Sequence, residues 1–175
     1  MNAAMMIGNL RALYIAGEDI LKTSPEAEEY RRKLDRCDFV VLQEIALSET
    51  TRYADVVLPG VSFAEKTGTF TSTERRVQMV QQAIMPIGDS RADWQIFADL
   101  GKRLGFGWEY ASTAQIMSEI AALIPVYGGI THERLERGER LQWPVESLEH
   151  AGTPILALGF FSKGDVHWSV ASAVE

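Results

Sequence analysis

Ala12-Leu13-Tyr14-Ile15-Ala16-Gly17-Glu18-Asp19 and Phe39-Val40-Val41-Leu42-Gln43-Glu44 decide the fold class. Each is a short apolar run that ends in polar residues. A continuous apolar run of four residues is too short for a helix and fits a strand buried on both faces. Between the two runs lies a helical stretch. Ser24 is placed as its N-cap and Pro25 as its first residue. Ala27, Tyr30 and Leu34 share one face. Glu26, Glu28 and Glu29 come early and Arg31, Arg32 and Lys33 late, as the helix dipole favours. Strand, helix, strand with apolar strands predicts a parallel sheet in an α/β fold.

Working outward, Asp55-Val56-Val57-Leu58 reads as a third strand closed by Pro59-Gly60. Residues 63–82 break the rhythm. Lys66-Thr67-Gly68-Thr69 is turn-like, while Thr69-Phe70-Thr71 and Arg76–Gln81 alternate polar and apolar residues, which predicts a hairpin-like insertion with two short strands. The C-terminal part reads as helical. Ser90 and Asp93 fit a capping box for a helix through Leu104 that is stopped by Gly105. Ser112 and Gln115 cap a second helix, ended by Pro125. Thr131 caps a third, with Ile130 and Leu135 as its staple. From Arg140 onward the pattern is turns and isolated apolar pieces.

Composition narrows the function. The chain has 175 residues, 46% of them hydrophobic, enough for one domain with its own core. Its net charge of −7 argues against general nucleic-acid binding, which depends on Lys and Arg neutralising phosphates. One cysteine, Cys37, cannot make an internal disulfide, a Cys₄ zinc site or an iron–sulfur cluster, and it reads as an inert structural thiol. His132, His150 and His167 show no metal-ligand spacing. No apolar run approaches the roughly 18 residues of a membrane span, and Met1–Ile7 lacks the basic start of a signal peptide, so a cytoplasmic protein is expected.

Ligands of open parallel sheets sit beyond the carboxyl ends of the strands. Three such ends carry polar residues here: Gly17-Glu18-Asp19 with Thr23, Gln43-Glu44 followed by Ser48-Glu49-Thr50-Thr51, and Pro59-Gly60-Val61-Ser62. Glycine permits close backbone approach, and a carboxylate can accept two N–H bonds from a guanine edge or two O–H bonds from a ribose. Ordinary surface loops have the same composition. No dinucleotide glycine fingerprint and no P-loop accompanies them.

At these residues the chain resembles the molybdopterin oxidoreductases of the dimethyl-sulfoxide-reductase superfamily. The resemblance runs through Ala12–Asp19, Phe39–Glu44, Ser48-Glu49-Thr50 and Tyr53-Ala54-Asp55-Val56-Val57-Leu58-Pro59. Phe63–Gln78, Asp93-Trp94 and Gln142-Trp143-Pro144 are similar to the catalytic (alpha) subunit of formate dehydrogenase. The resemblance implies a Rossmann-like three-layer α/β domain with a mainly parallel sheet. It implies a share in binding a bis-molybdopterin guanine dinucleotide that carries molybdenum or tungsten. Matched position by position, Gly17, Glu18, Asp19 and Thr23 meet the nucleotide. Gln43 and Glu44 lie near the ribose, Pro59 and Gly60 form the third loop, and Asp93 contacts the guanine base. Ile20 departs from the proline usual after the first turn.

The resemblance also implies what lies elsewhere: the iron–sulfur domain, the metal-ligating Cys or selenocysteine, the catalytic His and Arg, and a closing C-terminal domain. The expectation is therefore a cofactor-binding domain over residues 1–155 and an irregular tail over 156–175 leading to a further domain. No catalytic or metal-ligating residue and no iron–sulfur cluster is expected in this chain. Its partners would be the remaining domains of the catalytic subunit and electron-transfer subunits. The isolated chain should not oxidise formate. The apolar tail Phe160-Phe161 to Val170 predicts a tendency of the isolated chain to form a homodimer. A non-catalytic binding or assembly module of the same ancestry, or another respiratory molybdopterin oxidoreductase subunit, would share this sequence pattern.

Overall fold

Side chains alternate across a strand, and the first strand uses both of its faces. In the computed structural model, which describes residues 10–155, β1 is Ala12–Ala16, β2 is Phe39–Glu44 and β3 is Val56–Pro59. All three run parallel in the order β1-β2-β3. Ala12 lies opposite Phe39 and Ala16 opposite Gln43, while Val41 lies opposite Val56 and Glu44 opposite Pro59. Leu13, Ile15, Val40 and Leu42 fill one face. Against them pack Leu21 of α1 (Ile20–Thr23) and Leu34 of α2 (Ala27–Leu34). Complete burial of a Leu or Val contributes about 1.5–3 kcal/mol, so this cluster is the main anchor of the sheet. Tyr14 leaves by the opposite face and meets Phe97 of α3 (Asp93–Arg103), ring centroids 5.6 Å apart. The sheet thus lies between helices, the α/β layering that the sequence predicts.

The described residues divide into two units. The first holds those up to Phe70 together with Met79–Met117. The second holds Thr71–Gln78 and those from Ser118 on. The hairpin over 63–82 forms, with arms β4 (Gly68–Thr71) and β5 (Arg76–Val80). Within the second unit, β5 pairs antiparallel with β6 (Leu141–Gln142), Val77 opposite Leu141. A strand therefore stands where turns were expected after Arg140. Arg75 adopts φ 68, and its guanidinium donates to the Trp143, Thr153 and Pro154 carbonyls, binding that irregular stretch to the hairpin turn.

Two helix starts differ from expectation. Ser24 and Pro25 precede α2 rather than open it. Ser24 is extended, ends α1, and its hydroxyl accepts the Glu26 N–H at 3.2 Å, capping a turn. Ser90 does not form a capping box with Asp93. Its hydroxyl donates to the Ile87 carbonyl at 2.6 Å, and Ala92 occupies the N-cap without a side-chain bond. The end of α3 is as read. Gly105 has φ 88, the Phe106 N–H reaches back to Gly101 and the Gly105 N–H to Lys102, a Schellman closure that favours glycine. Ser112 and Gln115 bracket the start of α4 (Thr113–Leu123), the Gln115 side chain turning back to the Ala111 N–H at 2.7 Å. Thr131 caps α5 (His132–Glu136), with Ile130 and Leu135 buried beside it. The tail with Phe160-Phe161 lies outside the described residues.

Candidate functional site at the strand ends

Glutamine at the end of an apolar strand must find partners for both halves of its amide once buried. Gln43, fully buried at the end of β2, finds them on either side. Its Oε1 accepts the Tyr14 hydroxyl, and its Nε2 donates to Asp93 Oδ1 at 2.7 Å. Tyr14 faces Val41 in register, so Gln43, two residues on, shares its face. Asp93 arrives from the first position of α3, where a carboxylate also complements the helix dipole. Its Oδ2 accepts Lys66 Nζ at 2.6 Å. Burial pushes the Asp93 carboxyl upward, but Lys66, Gln43 and its own backbone N–H outweigh it, holding the group below the usual carboxylate range. Burial, followed by the charge of Asp93, pushes the Tyr14 phenol up.

Local structure delivers each member of this row. Ser62 and Glu65 form a capping box around the turn Phe63–Glu65. The Ser62 N–H and hydroxyl each donate to Glu65 Oε2 at 2.8 Å, and the Ile87 N–H donates to Oε1 at 2.9 Å. Glu65 is pinned, so Lys66 leaves the turn toward Asp93. Gly60 is tied on both sides. Its N–H donates to the Glu44 carbonyl, and the Arg91 N–H donates to the Pro59 carbonyl, both at 3.0 Å. A Cβ on Gly60 would stand 3.1 Å from Asp93 Oδ1 and 3.7 Å from the Glu44 carbonyl. Glycine is favoured here by a close approach rather than by backbone angle, since a Cβ would require the Asp93 carboxylate to shift by a few tenths of an ångström.

The nine residues singled out in the sequence fall into two groups. Gln43, Gly60 and Asp93 converge as described, with Pro59 beside them. Glu44, next in the chain, turns its carboxylate onto the Ile45 N–H at 2.7 Å. The second group surrounds the loop after β1. Gly17, at φ 65, donates its N–H to the Gln43 carbonyl at 2.8 Å. The Thr23 hydroxyl donates to Glu18 Oε1 at 2.8 Å, and Glu18 and Thr23 line a cavity of about 430 Å³ along β1 with Tyr14, Ala16 and Ile20. Asp19 turns the other way. Its Oδ1 accepts the hydroxyl of fully buried Thr50 at 2.5 Å, and its carbonyl accepts the Lys22 and Thr23 N–H groups, so it ties the loop to the Ser48–Thr51 turn.

Tyr14 and Lys66 were not among the predicted site residues. Tyr14 carries a faint signal, an aromatic hydroxyl in an otherwise aliphatic strand. Lys66 carries none, since its partner lies 27 positions away.

Comparison with known proteins follows the same lines. The molybdopterin oxidoreductase family profile matches residues 1–103. A Staphylococcus aureus (strain USA300) protein named "Putative formate dehydrogenase" is 43% identical over 155 residues, covering 89% of this chain and 16% of that protein. "Probable oxidoreductase YjgC" of Bacillus subtilis (strain 168) is 45% identical over 140 residues, covering 80% of this chain and 14% of that protein. Acetylene hydratase from Pelobacter acetylenicus superposes with a TM-score of 0.61 at 18% identity, over 83% of this chain and 20% of that chain, a likeness of fold. The chain thus spans about a sixth of the length of these curated relatives. Among the described residues, no helix is long and apolar enough to cross a membrane.

Proposed function

Because this chain belongs to the molybdopterin oxidoreductase family, we propose that its strand ends hold the guanosine end of a molybdopterin guanine dinucleotide in a formate dehydrogenase-like catalytic subunit. The observation that carries this reading is the Gln43–Asp93–Lys66 row beside Gly60. A carboxylate held below its usual range stands at a strand end, packed close against the Gly60 backbone and with its side chain 38% exposed. A carboxylate has about four acceptor positions. Gln43 and Lys66 take one on each oxygen, and the Asp93 backbone N–H draws on a third. The one position left can accept a single N–H, such as the N1–H or an N2–H of guanine. Adenine would set the lone pair of its N1 against the negative charge.

Glu18, with Thr23 on the cavity along β1, suits the ribose hydroxyls, which a carboxylate can accept. Asp19, the fourth residue of this group, shapes the loop by accepting the Thr50 hydroxyl on one carboxylate oxygen, which leaves the other for the nucleotide. When bound, the cofactor supplies the metal-centred redox chemistry. The residues here bind and orient its nucleotide arm, and the 175 residues alone are expected not to oxidise formate. Molybdenum or tungsten, the second pterin, and the electron-transfer partners would be held by the rest of such an enzyme.

Calorimetric titration of the purified chain with guanosine diphosphate tests this reading, with adenosine diphosphate as control and Asp93→Ala beside it. Weak saturable binding of the guanosine form, lost in the variant while the circular dichroism spectrum is kept, is the expected result. Equal heats for both nucleotides, or none for either at millimolar ligand, would count against it.

A further inference from the structure

We propose that Lys66 is a positioning residue for base selection at this site: its ammonium, 2.6 Å from Asp93 Oδ2, fixes that carboxylate against Gln43 so that it favours guanine over adenine. The proposal rests on the guanosine reading above. Asp93 is gripped from two directions, by an amide that arrives along β2 and an ammonium that arrives from the turn before β4. The amide alone leaves the carboxylate free to rotate about its bond to Oδ1. The ammonium removes that freedom. Lys66 is itself held, since Glu65 is locked by Ser62 and Ile87, and its Nζ lies 6.0 Å from the centre of the Phe70 ring, within cation–π range. The Lys66 side chain is only 24% exposed, so solvent screens this pair less than a surface ion pair.

The charged and titratable groups around Asp93 assign the effect to Lys66. Tyr14 reaches Gln43 and stays neutral. Glu44 is turned onto Ile45, and Arg91 pairs with Asp99 at 2.7 Å. Lys66 is thus the cation that holds Asp93 ionised against the cost of its burial.

Lys66→Met and Lys66→Arg in the full 175-residue chain test the proposal. Two readouts are taken: the titration of the Asp93 carboxyl by carbon-13 NMR, assigned with Asp93→Asn, and the ratio of affinities for guanosine and adenosine diphosphates. In Lys66→Met the Asp93 titration should move upward, and the preference for guanosine should fall about tenfold, the scale of one charge-assisted hydrogen bond. Lys66→Arg should restore both. A Lys66→Met chain that keeps the wild-type titration, or the wild-type preference, overturns the role of Lys66 and leaves the guanosine site standing. A wild-type chain without preference between the nucleotides overturns the site reading and this proposal together.

Discussion

Replacing Gln43 by Glu changes one NH₂ for one oxygen inside the row Tyr14–Gln43–Asp93–Lys66. The new oxygen would stand where Nε2 stands, 2.7 Å from Asp93 Oδ1. Two unit charges at that distance repel by about 6 kcal/mol at an effective dielectric of about 20. The pair escapes by retaining one proton, at a cost of about 1.4 kcal/mol per pH unit above the free carboxyl value near 4.3. That comes to about 3.7 kcal/mol at pH 7, about 2.3 at pH 6 and about 1 at pH 5. These are upper values, because Asp93 is 38% exposed and the Lys66 ammonium sits beside it. The sign follows from linkage. The shared proton has a raised affinity in the folded state, so stability matches wild type near pH 4 and is lost as pH rises. Urea denaturation of Gln43→Glu and wild type at pH 5, 6 and 7 measures the difference. A deficit of the same size at all three values, or none at pH 7, would refute the contact between Gln43 and Asp93 as described.

Gly60→Ala should weaken guanosine diphosphate binding several-fold with the fold intact, since its Cβ would press on Asp93 Oδ1 at 3.1 Å; calorimetry with circular dichroism reads both. In the second unit, buried Arg134 donates to the Gly129, Ser147 and His150 carbonyls and pairs with Glu139 at 2.7 Å. Arg134→Met leaves those carbonyls without their donor, and should cost that unit about 3 kcal/mol, seen as faster amide exchange around residues 147–150. The carboxyls of Asp93, Glu65 and Glu139 lie below their ordinary values. Lys66 and Gln43 hold Asp93 down against burial, the Ser62 N–H lowers Glu65, and Arg134 lowers Glu139. Their contribution is full above about pH 5 and is lost as pH falls through the depressed values. The urea midpoint should therefore drop on the acid side, with a shallower drop in Asp93→Asn.

Much of the first unit was legible because its signals are local. Apolar runs 12–16 and 39–42 have the length and composition of strands, and the helix between them favours a parallel pair, although Ala12, Ala16 and Phe39 stand exposed. The hairpin declared itself by alternation. Misreadings came where short polar residues had a choice of partner. Ser24 and Ser90 suit helix caps and tight turns alike, and each settled on a turn because its hydroxyl bonds within three residues. Asp93 was read both as a cap and as a ligand group, and the fold separates the roles by giving its oxygens to Gln43 and Lys66. The partner of Asp19 was likewise not legible: its Oδ1 accepts the hydroxyl of Thr50, 31 residues on. Such pairings depend on how the loops beyond the strand ends close over one another, and no periodicity encodes that.

The amide of Gln43 has one further consequence. A carboxylate only accepts, so the NH₂ must face Asp93, the carbonyl oxygen must face Tyr14, and the phenol must donate. Every donor in the row is thereby aimed one way, toward Asp93 from Tyr14 and from Lys66. A hydroxyl or an imidazole in the middle could pass a proton along by swapping its bonds, but an amide cannot give up its N–H at ordinary pH. The row is an insulator, not a wire. A proton reaching Asp93 must come through Lys66 or from the solvent side, and the charge at this strand end stays isolated from the phenol on β1.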